Sequence, residues 1–119
     1  MKFTTRGTEP QVIGVRETRI DSAVAIQFKD TMRETLSPAA RRVILDLSEV
    51  EFIDSSGLGA IVAAKKSMAP GQQLDLAGLM PMVDKVFRLT RMDTIFALYP
   101  TLAEAEADAP PRLAGGTEG

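Results

Sequence analysis

Val43-Ile44-Leu45-Asp46-Leu47 is a mostly apolar run of strand length, and shortly after it Asp54-Ser55-Ser56-Gly57-Leu58-Gly59 opens a segment of helical character. A run with so little polar alternation suits a central strand covered on both faces, as in a parallel sheet. The helix is expected to reach about Met68, where Pro70-Gly71 stops it. Strand, polar turn and helix in this order predict the middle of an α/β domain.

Working outward, Lys2–Arg6 and Gln11–Glu17 are β-type runs flanking Gly7-Thr8-Glu9-Pro10, and they predict an N-terminal hairpin. Asp21 or Ser22 is placed to cap a helix whose apolar positions Ala25, Phe28, Met32 and Leu36 recur at helical spacing before Ser37-Pro38 ends it. Beyond the central unit, Gln72–Ala77 reads as a strand. Pro81 opens a helix with Val83, Val86, Phe87 and Thr90 in one stripe, Thr94–Leu98 reads as a short last strand, and Thr101–Ala107 as a last helix. The expected domain is 1–108; from Ala109 the composition turns to Pro, Gly and Ala, and 109–119 is expected to be a disordered tail. Arg41-Arg42 reads as a solvated pair before a strand, Asp46 as a structural residue at its end, and Met68, Met80, Met82 and Met92 are assigned no role.

The 119 residues suit one domain. With no His and no Cys, the chain lacks the side chains for a Ser/His/Asp triad, a cysteine nucleophile, a disulfide or an ordinary zinc or haem site. No enzyme activity and no cofactor are expected. Asp21, Asp46 and Asp54 could suggest a metal cluster or a phospho-aspartate receiver, but the paired acids and late lysine of a receiver are missing. A net charge of -2 and 5% aromatics provide neither a basic field nor a stacking platform for nucleic acid. No apolar run approaches the length of a membrane helix and the N-terminal residues do not read as a signal peptide, so a cytoplasmic protein with protein partners is expected.

Chemistry concentrates in Asp54–Gly59. Asp54, Ser55 or Ser56 can accept from the unpaired N–H groups that begin a helix. Gly57 and Gly59 each cost about 1 kcal/mol against alanine in a helix, so something besides helix stability favours them. At about 100° per residue, Leu58, Ile61 and Val62 fall on one face, expected to pack on the sheet. Gly59, Ala60 and Ala63 fall opposite, as a small uncharged strip that is either a docking surface or simply good helix formers. A serine at a helix N-terminus tolerates an added phosphoryl group while the surface changes sign.

Val43–Gly59, with its complete Asp54-Ser55-Ser56-Gly57-Leu58-Gly59 string, resembles the signature of STAS domains, and specifically of bacterial anti-sigma-factor antagonists. Arg19-Ile20-Asp21 is similar to the segment before the family's first helix, and Met80–Thr90 to its later helix; the likeness covers roughly Lys2–Ala107. It implies a STAS fold: a mixed, mostly parallel sheet with an N-terminal hairpin and helices packed against it. It also implies a binding module. An anti-sigma factor that is also an ATP-using serine kinase binds the unphosphorylated antagonist and releases its sigma factor for transcription. The kinase then phosphorylates the antagonist, and a metal-dependent serine phosphatase resets it. By this resemblance the acceptor is Ser55, with Ser56 the alternative acceptor or a cap. Asp54 would orient the hydroxyl or cap the helix, and Gly57 and Gly59 would admit the partner. Asp21, Leu58, Ala60 and Ala63 complete the implied binding face. Many members carry glycine where this chain has Glu17-Thr18, which implies a different contact by the first loop. The competing reading is a structural STAS adaptor of a transporter or signalling assembly, with the serines as caps and no switch.

Overall fold

The computed structural model describes residues 1–108. In chain order the elements are β1 (Phe3–Arg6), β2 (Gln11–Val15), β3 (Arg19–Ile20), α1 (Ala25–Thr35), β4 (Arg42–Asp46), β5 (Phe52–Ile53), α2 (Ser55–Lys66), β6 (Gln73–Ala77), α3 (Pro81–Leu89), β7 (Leu98–Tyr99) and α4 (Leu102–Ala107). Five strands form one sheet in the order β1-β2-β4-β6-β7, and β3 pairs with β5 in a small second sheet. β1 and β2 make the expected antiparallel hairpin, with Phe3 opposite Val15 and Arg6 opposite Val12; every other ladder is parallel. This is the expected mixed, mostly parallel α/β architecture. The tail expected at 109–119 lies outside the described residues.

Alternate side chains of a strand point to opposite faces, and the two faces of this sheet have different covers. Ile13, Val15, Val43, Leu45, Leu74 and Leu76 lie in one core with Phe28 and Met32 of α1, Ile61 of α2, and Val83 and Phe87 of α3. Val12, Ile44 and Ala77 face the other way, under Leu102 and Ala105 of α4. Each of α1, α2 and α3 leads from the end of one parallel strand to the start of the next, so their N-termini gather at the same end of the sheet.

Several expectations are corrected by tertiary contacts. Arg42 is not solvated. It is 4% exposed, and its Nε donates to Asp75 Oδ2 at 2.7 Å. Gln73 Nε2 donates to both Asp75 oxygens at 2.8 and 3.0 Å. Arg42 Nη1 donates to the Asp108 carbonyl at 3.0 Å, and the Tyr99 hydroxyl donates to Asp108 Oδ2 at 2.7 Å. Burial, then the Asp108 hydrogen bond, push the Tyr99 phenol up to about 12. This polar network fastens the end of α4 to the second face. Asp46 does end its strand structurally, accepting from the Ser48 N–H at 3.0 Å.

The last strand is shorter than Thr94–Leu98. Arg91 adopts φ 64° and Met92–Thr94 form a 3-10 turn, with the Thr94 hydroxyl donating to the Arg91 carbonyl at 2.6 Å. Phe96 is then buried at an angle to Phe87, ring centroids 6.3 Å apart, and the chain becomes extended only at Leu98–Tyr99. α1 starts at Ala25, with Val24 as a cap that offers no side-chain bond, so neither Asp21 nor Ser22 caps it. Thr90 leaves the α3 stripe: it is exposed and its hydroxyl donates to the Val86 carbonyl. Met68 and Met92 pack against the core, whereas Met80 and Met82 are exposed.

Removing one partner of a buried ion pair leaves the other uncompensated, typically costing about 3–5 kcal/mol. Asp75→Ala is expected to lower unfolding free energy by that amount in urea titration, and the double replacement Arg42→Met/Asp75→Leu to recover most of it.

Candidate functional site

The Asp54 backbone is extended, at φ -108° and ψ -175°, and its side chain caps α2. Oδ1 accepts from the Gly57 N–H at 2.9 Å, and the Asp54 carbonyl accepts from Leu58 N–H at 2.9 Å. Oδ2 accepts from the Ser22 N–H at 3.2 Å, so one carboxylate ties the start of α2 to the turn before α1. These backbone donors, Gly57 foremost, hold the Asp54 carboxyl below its ordinary range. Ser55 and Ser56 are the first two helical residues, and both are exposed. With Asp54 as the cap, neither serine is needed for that task.

Gly57 is buried rather than presented to a partner. A Cβ there would lie within 1.9 Å of the Ile20 carbonyl oxygen, so the first turn of α2 rests directly on β3. Gly59 differs: a Cβ on it would meet nothing within 4 Å. The buried arc of α2 is Gly57, Ala60, Ile61 and Ala64, rotated from the expected one because α2 packs against α1 and β3 as well as the sheet. Ala60, at 2% exposed, therefore drops out of the outward strip. Leu58, Val62 and Ala63 are half-buried flanks, and Ser55, Ser56 and Gly59 face solvent.

The β3–β5 register places Arg19 beside Phe52 and Ile20 beside Ile53. The Arg19 guanidinium lies 4.2 Å from the Phe52 ring centroid, and its Nε donates to Asp21 Oδ2 at 3.2 Å. Asp21 Oδ1 accepts from the Ala23 N–H at 3.1 Å, so Asp21 braces a turn instead of capping a helix. Three exposed apolar side chains share this end of the fold by topology: Ile26 in the first turn of α1, and Met80 and Met82 at the start of α3, exposed by 69%, 37% and 59%. Sequence reading assigned these no role. The available signal was that Ile26 and Met82 each sit one position off the buried stripe of their helix.

Residues 8–105 match the STAS domain family model, and the chain belongs to that family, within it to the bacterial anti-sigma factor antagonists. BtrV of Bordetella bronchiseptica, provisionally named an anti-sigma factor antagonist, is 30% identical over 108 residues, spanning 90% of this chain and 93% of its own. An anti-sigma factor antagonist from Mycobacterium paratuberculosis has the same fold, with TM-score 0.78, 24% identity, and coverage of 89% of this chain and 91% of that one. The phosphorylated form of SpoIIAA, a Bacillus cell fate determinant, also shares it, with TM-score 0.63, 21% identity, and coverage of 89% and 97%.

The two glycines should respond oppositely. Gly57→Ala forces backbone apart and is expected to cost about 1–3 kcal/mol or more, as overpacking does, whereas Gly59→Ala should stabilise by up to about 1 kcal/mol through helix propensity; thermal denaturation compares them. Because the folded-state pKa of Asp54 is lowered, its contribution is complete above the ordinary carboxylate value and is lost as pH falls through the lowered one. Asp54→Asn, which can still cap, is expected to flatten that acid limb in urea midpoints measured against pH.

Proposed function

We propose that this protein is a phosphorylation-switched antagonist that sequesters an anti-sigma factor, itself an ATP-using serine kinase, while Ser55 is unphosphorylated. The sigma factor is thereby freed for transcription in the cytoplasm. The observation that carries this reading is the pair of exposed hydroxyls at the first two positions of α2, left uncommitted because Asp54 does the capping. Exposed Gly59 on the same side of α2, with Ile26 and Met82 at the same end of the fold, supports a docking face that is small and apolar around the serines.

In the switching step the serine Oγ attacks the γ-phosphorus of ATP, the bond to the bridging β–γ oxygen breaks, ADP leaves and the hydroxyl proton passes to a base of the kinase. The antagonist supplies the acceptor and catalyses nothing. A metal-dependent serine phosphatase would reverse the change by hydrolysis. Phosphorylation adds about -1.5 to -2 charge. Against an acidic group of the partner at ~4 Å, one unit pair is worth about 4 kcal/mol at an effective dielectric near 20. Since each ~1.4 kcal/mol is tenfold in affinity, a screened fraction suffices to release the partner. Ser55 is the acceptor in this reading and Ser56 the alternative.

Incubation with the kinase partner and ATP, followed by peptide mass mapping, should place one phosphoryl group on Ser55 or Ser56; label at neither would falsify the switch. In titration calorimetry Ser55→Ala should bind the partner persistently with ATP present, and Ser55→Asp at least tenfold more weakly. Stable association with a membrane assembly, indifferent to replacement of both serines, would instead identify an adaptor.

A further inference from the structure

Arg19 of β3 pairs with Phe52 of β5, three residues before Ser55. Strand alternation in the β3–β5 pair sends Ile20 and Ile53 into the core and turns Arg19 and Phe52 outward. Asp21 and Asp54 follow the two strands, and both accept from the same turn, Asp21 from the Ala23 N–H and Asp54 from the Ser22 N–H. The two carboxylates are held differently. Both Asp54 oxygens are engaged by backbone N–H groups, from Gly57 and Ser22. Asp21 has one backbone donor, Ala23, and one ion pair, to Arg19 at 3.2 Å. That ion pair is partly open to solvent, with side-chain exposures of 58% for Arg19 and 21% for Asp21, and pairs of this kind contribute little and exchange readily. The guanidinium lies over the Phe52 ring, 4.2 Å from its centroid, and among the described residues only its Nε is hydrogen-bonded.

A dianionic group arriving beside two carboxylates needs a counter-charge. An arginine fork meets phosphate oxygens in bidentate geometry and forms stronger bonds with them than with a solvated carboxylate. We propose that Arg19 is the counter-cation of the phosphorylated state: held on Phe52, its guanidinium exchanges Asp21 for the phosphoserine oxygens. The exchange leaves Asp21 held by the Ala23 N–H alone. Phosphorylation then acts on the docking end in two ways, by adding charge and by releasing Asp21 from Arg19 in the turn that leads into α1 and Ile26. This inference rests on the phosphorylation reading, and its residue is a positioning one.

The test uses the full chain with phosphoserine installed co-translationally at position 55 or, separately, at position 56, in wild type and in Arg19→Gln, so that no kinase is needed. In 1H–15N spectra the phosphoryl group at one of these positions should shift the Arg19 Nε–H and the Ala23 backbone N–H. In Arg19→Gln the Ala23 resonance should already lie near its phosphorylated position and move little further. The phosphoryl group should also lower the melting temperature of Arg19→Gln by several degrees more than that of wild type, with Arg19→Lys between them. Arg19 and Ala23 resonances unmoved by phosphoserine at both positions, or an equal melting penalty in all three proteins, would overturn the proposal. Neither result would touch the switch itself, which stands or falls on kinase-dependent labelling of the serines.

Discussion

The close approach of α2 to the Ile20 carbonyl is the constraint on which the functional end depends. Gly57 has no side chain, so the first turn of the helix can lie on β3, and Asp54 locks it there by accepting from α2 and from the turn before α1 at once. The consequence is geometrical. With the buried side of the helix set by Gly57, the steps of the α-helix carry Ser55, Ser56 and Gly59 outward. Neither serine is spent on capping, and a modification there meets solvent instead of core.

The fold divides its polar chemistry between two places. On the face covered by α4, Arg42, Asp75 and Gln73 are buried and bonded to one another, and Asp108 closes the network from the far end of the last helix. Such groups act as fixed struts, because removing either charge strands the other. At the helix N-termini the charged groups are exposed or half-exposed, and Ile26, Met80 and Met82 are exposed at the same end. The interior need not move for the surface to change.

Much of this was legible in the residues. The apolar β4 run, the periodicity of α1 and α3, Pro81 at the start of α3 and a last helix ending at Ala107 all report local physics, and they appear where expected. The misreadings have a common origin in distant contacts. Arg42 looked solvated because Asp75, its partner, is thirty-three residues away. Thr94–Ala97 carries β-type residues, yet the burial of Phe96 against Phe87 bends it out of the sheet. β3 and β5 have two residues each and too little pattern to announce themselves; each is a strand because the other is there. Ala60 was placed outward because α2 was assumed to pack on the sheet alone, whereas α1 and β3 also claim its surface.

The residues by themselves determined the order and type of the principal elements, the absence of histidine and cysteine chemistry, and the Asp54–Gly59 motif with its two serines. These follow from composition, from periodicity and from the turn preferences of glycine, proline and aspartate, all properties of neighbours along the chain. Only the tertiary structure decided which side of α2 faces water, that Gly57 serves the interior while Gly59 serves the surface, and that Arg19 stands on Phe52 beside Asp21. Those outcomes depend on distances between segments far apart in sequence, set when the helices, the sheet and the β3–β5 pair compete for the same buried volume.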